Sequence, residues 1–96
     1  MKMKNDFLTI IASTEKDRRL TVWHLAILTS LLLLALRQGR LNGIKVSRSR
    51  IMVLSHIATL PTYHKYFKDL QQIGYIDYRP SYHPGVRSEV DIKKQP

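Results

Sequence analysis

The spacing of apolar side chains changes along this chain, and the changes predict where its helices and strands lie. Apolar residues fill nearly every position of residues 21–38, which indicates a buried helix. Thr21 is a suitable N-cap for this helix, and Gly39 is a suitable terminator. A small domain covers only one face of such a helix, so we expect the other face to meet a second subunit or the apolar segment at residues 7–12.

A second helix is predicted after a tight turn and a very short strand at residues 44–46. Ser47 offers its N-cap, and the helix is expected to cover residues 48–57. Ile51, Leu54 and Ile57 recur at helical spacing within it.

The third predicted helix begins after Thr59, has Pro61 in its first turn and stops at Gly74. At about 100° per residue its apolar and polar side chains separate onto opposite faces. The apolar face carries Tyr63, Tyr66, Phe67 and Leu70, which we assign to the core, and the opposite face carries Pro61, His64, Lys65, Lys68 and Gln72.

The two ends of the chain follow other patterns. Residues 75–79 and 88–92 alternate with period two and predict a hairpin, whose tip is basic and rich in turn residues. Residues 7–12 fit a strand or a short helix equally well, and residues 1–5 are expected to form a mobile tail. We therefore divide the chain into an N-terminal arm with a role in dimerisation, a domain and a tail, at residues 1–20, 21–92 and 93–96.

Composition narrows the classes of partner. The chain has 96 residues and a formal charge of +9, from 16 basic and 7 acidic side chains, which favours a nucleic acid or an anionic membrane surface. The apolar run in the first predicted helix is too short and too interrupted to cross a bilayer, and we expect no membrane attachment. The absence of cysteine fits an intracellular protein, and we predict a cytoplasmic, bacterial nucleoid-associated location.

Residues 62–76 resemble the recognition helix and first wing strand of the winged helix-turn-helix superfamily, of the bacterial transcription-regulator type. The Tyr-Arg-Pro and Pro-Gly-Val-Arg sequences that follow strengthen the resemblance, which covers residues 21–92. It implies an α+β fold, mainly α, with three helices and a C-terminal β-hairpin wing. It also implies that the third helix enters the major groove of double-stranded DNA.

The resemblance assigns candidate DNA contacts by position. The candidates for base edges are Thr62, His64 and Lys65. The candidates for the DNA backbone are Ser47, Arg48, Ser49, Arg50 and Lys68. The candidates in the wing are Arg79, Tyr82, His83 and Arg87.

Other chemistry finds little support in the sequence. The acidic residues are scattered, no phosphate-binding or nucleophile motif occurs, and the histidines lack metal-ligand spacing. We therefore predict no enzyme activity, no catalytic residue, no metal and no cofactor. His24 is interpreted as a hydrogen-bonded core or interface group, and Arg37 and Arg40 as cations that complement a helix C-terminus.

The sequence thus predicts a sequence-specific DNA-binding protein, a transcriptional regulator that acts as a homodimer through its first helix and N-terminal segment. Two alternatives stay open. One is a DNA-binding accessory factor of a mobile element or plasmid, active in excision or replication. The other is a winged-helix module that binds RNA or protein.

Overall fold

The computed structural model describes residues 2–93, which form a mainly helical α+β domain. Its helices are α1 (Lys2–Glu15), α2 (Val22–Gln38), α3 (Arg48–Ser55) and α4 (Leu60–Ile73). Its strands are β1 (Ile44–Val46), β2 (Ile76–Arg79) and β3 (Ser88–Ile92). The predicted α+β class is confirmed at this level, with four helices in the described residues where three were predicted.

The additional helix is α1, which replaces the predicted mobile tail at residues 2–5 and decides the open choice at residues 7–12. Met3, Phe7 and Ile10 share one face of α1 and pack against the core, and Ile10 is fully buried. This spacing of three to four residues is helical, but polar residues between them obscure it in the sequence.

The connection from α1 to α2 is anchored at Asp17. The hydroxyl of Tyr75 donates to Asp17 Oδ2 over 2.9 Å, and the guanidinium of Arg19 donates to both carboxylate oxygens. The bonds from Arg19 hold the pKa of Asp17 well below its usual range, and burial raises the pKa of Tyr75. These bonds attach the N-terminal arm to the residue that precedes β2.

Helix α2 has the predicted ends. Thr21 is its N-cap, and Gly39 ends it in the left-handed region at a φ of 72°. The Nδ1 atom of His24 accepts the backbone N–H of Thr21 over 2.8 Å, and its Nε2 atom lies 3.0 Å from Asp69 Oδ2 on α4. The interpretation of His24 as a buried, hydrogen-bonded group is confirmed.

Helix α3 begins at the predicted cap and ends two residues before the predicted end. The backbone N–H of Arg50 donates to Ser47 Oγ over 3.2 Å. At the other end His56 adopts the left-handed conformation with a φ of 60°, which stops the helix at Ser55. Ile57 follows in the turn and is buried, so its apolar character reflects core packing outside the helix.

The three strands form an antiparallel sheet in the order β1-β3-β2. Val90 of β3 lies between Ile44 of β1 and Tyr78 of β2. β2 begins one residue later than predicted, and the fully buried Tyr75 precedes it.

The predicted C-terminal tail is described only at Lys93, and residues 94–96 lie outside the described part of the chain. Lys93 is tied to the sheet, because its N–H donates to the carbonyl oxygen of Tyr75 over 2.8 Å and its Nζ lies 3.0 Å from Asp77 Oδ2.

Candidate nucleic-acid interface

Helix α4 has the two faces that its sequence predicts. Tyr63, Phe67 and Leu70 are buried in the core, and Tyr66 is half-buried and stacks on Trp23 with ring centroids 6.1 Å apart. The predicted polar face is exposed, with the side chains of Pro61, His64, Lys65, Lys68 and Gln72.

The start of α4 determines where Thr62 points. Thr59 is the N-cap residue in an extended conformation, and its hydroxyl donates to Thr62 Oγ1 over 2.9 Å instead of bonding a backbone amide. Thr62 is half-buried and, with Trp23, lines a pocket at the α3–α4 turn. It therefore lies at the edge of the exposed face of α4.

The other two candidates for base contacts project from the exposed face. Lys65 Nζ lies 5.1 Å from the centroid of the Tyr66 ring, and the ring of His64 meets Tyr63 edge-on at 5.3 Å between centroids. Lys68 is exposed one turn further along. Two aromatic residues of the core face, Tyr66 and Tyr63, thus contact polar side chains of the exposed face.

The first turn of α3 meets the wing at a surface groove of about 700 Å³. Ser47, Arg48 and Ser49 line one side of it, and Arg87 with its neighbours lines the other. All lining residues are neutral or cationic: Val46, Ser47, Arg48, Ser49, Tyr78, Gly85, Val86, Arg87 and Ser88. The fold therefore brings together predicted contacts that are almost forty positions apart in the sequence.

Helix α4 is connected to this groove through Tyr78, a residue of the groove lining that Phe67 of α4 contacts. Burial raises the pKa of Tyr63, and the nearby positive charge of Arg48 acts in the opposite direction. The Tyr63 ring stacks on Phe67, which meets Tyr78 of β2 edge-on with centroids 5.0 Å apart. This row of aromatic rings packs α4 against β2 of the wing.

The wing tip is a turn with exposed polar side chains. Ser88 Oγ accepts the N–H of Ser81 over 3.0 Å, and the carbonyl oxygen of His83 accepts the N–H of Val86 over 3.2 Å. The side chains of Tyr82, His83 and Arg87 are exposed. Arg50 is also exposed on α3.

Arg79 is placed differently from the other wing candidates. Its guanidinium donates to both oxygens of Asp91, over 2.7 and 2.8 Å, and to Glu89 over 3.2 Å. These bonds raise the pKa of Arg79 and lower the pKa of the Asp91 carboxyl group, and hydrogen bonds from Lys45 and Arg79 lower the pKa of Glu89. Lys45 of β1 pairs with Glu89 as well, so Arg79 belongs to a charged network across the sheet.

The other candidate cations, of which Arg48 and Arg87 line the groove, are not neutralised in this way. Within residues 3–93, no carboxylate pairs with the side chains of Arg48, Arg50, Lys65, Lys68 or Arg87. The acids of the neighbouring elements are already paired, because Asp69 contacts His24 while Glu89 and Asp91 contact Arg79. The unpaired positive charge of α3, α4 and the wing tip is therefore available to a ligand.

No protein family, curated protein or solved structure matches the chain. The described residues contain no cluster of three or more histidine or acidic side chains that could hold a metal. No helix among them is both long and apolar enough to cross a membrane.

Sequence reasoning missed three contributors to this surface. Trp23 is partly exposed beside Thr62 and Tyr66, Lys45 joins the network of Arg79, and Asp69 is held by His24. The partners of Lys45 and Asp69 are more than forty positions away, so only the folded chain reveals the pairs. Trp23 could have been recognised as a large aromatic residue in the first turn of the apolar helix.

Proposed function

We propose that this protein binds double-stranded DNA in a sequence-specific manner through a winged helix-turn-helix domain, and that it acts as a homodimer in transcriptional control. The domain comprises α2, β1, α3, α4 and the β2–β3 hairpin. The observation that carries the proposal is the groove between the first turn of α3 and the wing, which Arg48 and Arg87 line; within residues 3–93 neither of these cations has a carboxylate partner.

The shape and charge of these elements suit duplex DNA. An exposed helix of 14 residues fits the major groove, where the N-terminal half of a recognition helix reaches base edges. His64 and Lys65 lie in that half and are the proposed base contacts, with Thr62 at its edge. Lys68 lies further along and is assigned to the backbone.

The α3–wing groove is assigned to phosphates. Ser47 and Ser49 supply hydroxyls there, and Arg48 and Arg87 supply positive charge. Arg50 adds an exposed cation on α3, and contacts to phosphate carry no sequence information. Tyr82 and His83 extend the wing tip toward the flanking minor groove or backbone. Arg79 has a structural role in this assignment, since its guanidinium is engaged by two carboxylates.

Duplex titration with matched variants tests the proposal. A binding site is first selected from a pool of random duplexes, and affinity is then measured by fluorescence anisotropy at several salt concentrations. We expect log K to fall with log salt by about 0.9 for each phosphate contact. Arg87→Ala should weaken binding to all duplexes similarly and reduce this slope by about 1.

Lys65→Ala should instead reduce discrimination between the selected site and a mutated site by about tenfold, because a base contact contributes about 1–3 kcal/mol. Arg40→Ala is the matched control, since Arg40 is an exposed cation beside Met3 and Asp6 of α1, outside the α3–wing groove. Equal affinity of wild type, Lys65→Ala and Arg87→Ala would reject the assigned surface. Preference for single-stranded RNA in a competition assay would reject duplex DNA as the ligand.

A further inference from the structure

Helix α1 carries an exposed stripe that the monomer does not use. The stripe consists of Lys4, Leu8, Ile11 and Glu15, which follow the spacing i, i+4, i+7, i+11 and so share one face of the helix. Leu8 is 56% exposed and Ile11 is 51% exposed, although the adjacent face of α1 is packed against the core.

An apolar groove of about 450 Å³ lies beside the stripe, between α1 and α2. Phe7, Ile11 and Thr14 form the α1 wall, and leucines of α2 form most of the other wall. Among the described side chains no charged one lines the groove, and Leu36 at its α2 wall is 61% exposed. The stripe adjoins the groove at Ile11, so the two form one continuous apolar surface. The charged members of the stripe, Lys4 and Glu15, lie at its two ends.

The stripe is complementary to itself. Lys4 and Glu15 lie at equal distances in sequence from the midpoint of the stripe, which falls between Thr9 and Ile10, and so do Leu8 and Ile11. A two-fold axis through that midpoint, perpendicular to α1, would place Leu8 opposite Ile11 of a second copy. The same operation would place Lys4 opposite Glu15 of the second copy at both ends.

The charges at the two ends are free to make such pairs. Both Lys4 and Glu15 are exposed, and within residues 3–93 neither forms a salt bridge. An antiparallel α1 pair would therefore bury exposed apolar surface and form two Lys–Glu contacts.

We infer that this surface binds a second copy of the chain, with the two α1 helices antiparallel about a two-fold axis between Thr9 and Ile10. The inference rests on the proposed homodimer and assigns its contact; it does not depend on DNA binding. A second copy fits better than an unrelated apolar ligand, because the charges at the ends of the stripe match only in the symmetric arrangement. It also fits the net charge of +9, since two strongly cationic chains associate best through a face of balanced charge.

Charge reversal with rescue tests this arrangement. Sedimentation equilibrium without DNA should give a dimer for the wild type at micromolar concentration. Lys4→Glu and Glu15→Lys should each weaken dimerisation by about tenfold, since each places two like-charge pairs across the contact. The double variant restores opposite charges, so its dissociation constant should return to within about threefold of the wild-type value.

A second pair of variants tests the apolar part of the stripe. Ile11→Glu should weaken dimerisation by at least about a hundredfold, because it buries a charge without a partner. Val53→Glu is the control, since Val53 is 67% exposed on α3, outside the stripe and the α1–α2 groove, and it should leave the dissociation constant unchanged. Circular dichroism should show an unchanged helix content for both variants.

The possible failures are distinguishable. A wild-type monomer at every concentration would overturn both the homodimer and this contact. A dimer that is insensitive to Ile11→Glu would overturn the contact and leave the homodimer, and a dimer that the double charge variant does not rescue would overturn the antiparallel register. Duplex binding is measured separately, and loss of affinity there bears only on the proposed DNA surface.

Discussion

At the residue scale, His24 shows how one side chain joins two elements. Its Nδ1 atom accepts the N–H of Thr21, which requires that nitrogen to be unprotonated, so the proton resides on Nε2 and is donated to Asp69. The imidazole thereby takes the place of the glutamate or glutamine that closes a capping box. The start of α2 is fixed against α4, which carries the proposed base contacts.

This arrangement predicts an asymmetric response to substitution at position 24. His24→Leu should lower the free energy of unfolding by about 1–2 kcal/mol, because a helix cap is lost and Asp69 loses its partner. His24→Gln is the matched variant, since its amide can still accept the N–H of Thr21. Its loss in free energy of unfolding should be at most half of the loss caused by His24→Leu. Urea unfolding measures both, and equal losses would contradict the capping role.

At the element scale, α2 and α3 both end through a left-handed residue, but the two residues differ. Gly39 adopts a φ of 72° without strain, and a Cβ added there would meet no atom within 4 Å. His56 adopts a φ of 60° in spite of its side chain. The turn after α3 positions α4, so the strained backbone of His56 lies at the point that sets the direction of α4.

Two exchanges at these helix ends should change stability in opposite directions. Gly39→Ala should lower the free energy of unfolding by about 1 kcal/mol, entirely through backbone conformation. His56→Gly should raise it by up to about 1 kcal/mol, because the strain is relieved and the side chain is exposed. Thermal and urea unfolding of both variants give the comparison, and a destabilised His56→Gly would show that the imidazole makes a contribution larger than the strain.

At the scale of the whole molecule, several carboxylates connect separate elements of the fold. Asp17 joins the arm to Tyr75, and Glu89 and Asp91 join Arg79 and Lys45 across the sheet. Their charges are thus used to hold elements together, away from the α3–wing groove. Arg79 and Arg87, at the start and end of the same wing loop, consequently have different surroundings: Arg79 is paired with Asp91, and Arg87 lines the groove.

The attachment of the arm through Asp17 predicts a specific dependence on pH. The pKa of Asp17 is lowered in the folded chain, while the pKa of an aspartate in an unfolded chain is about 3.9. The stabilisation is therefore complete above that pH, and it is lost as the pH falls toward the folded-state value. Asp17→Asn should be less stable than the wild type at pH 7, and the difference should narrow at pH 3.

The same measurement on Asp77→Asn provides the control, because that substitution removes an equal charge from an exposed carboxylate on β2. Urea midpoints at the two pH values give the result. A difference between wild type and Asp17→Asn that is as large at pH 3 as at pH 7 would show that the Asp17 carboxylate does not anchor the arm.

Local signals in the sequence determined most of the element boundaries. Thr21, Ser47 and Thr59 were identified as N-caps and Gly39 and Gly74 as terminators, because capping depends on residues within one turn of the helix end. The two faces of α4 also followed from periodicity alone. The early end of α3 did not, because histidine gives no signal for a left-handed conformation that the following turn imposes.

Contacts between distant parts of the chain were decided only by the tertiary structure. The burial of one face makes α1 a helix, and the meeting of the first turn of α3 with the wing forms the groove. The sequence identified the cations as a set, but it could not separate Arg79, which two carboxylates engage, from Arg87, which pairs with no carboxylate of residues 3–93. The physical reason is that helix caps and amphipathic faces depend on neighbours in sequence, whereas the pairing of a charge depends on which groups the fold brings within a few ångströms.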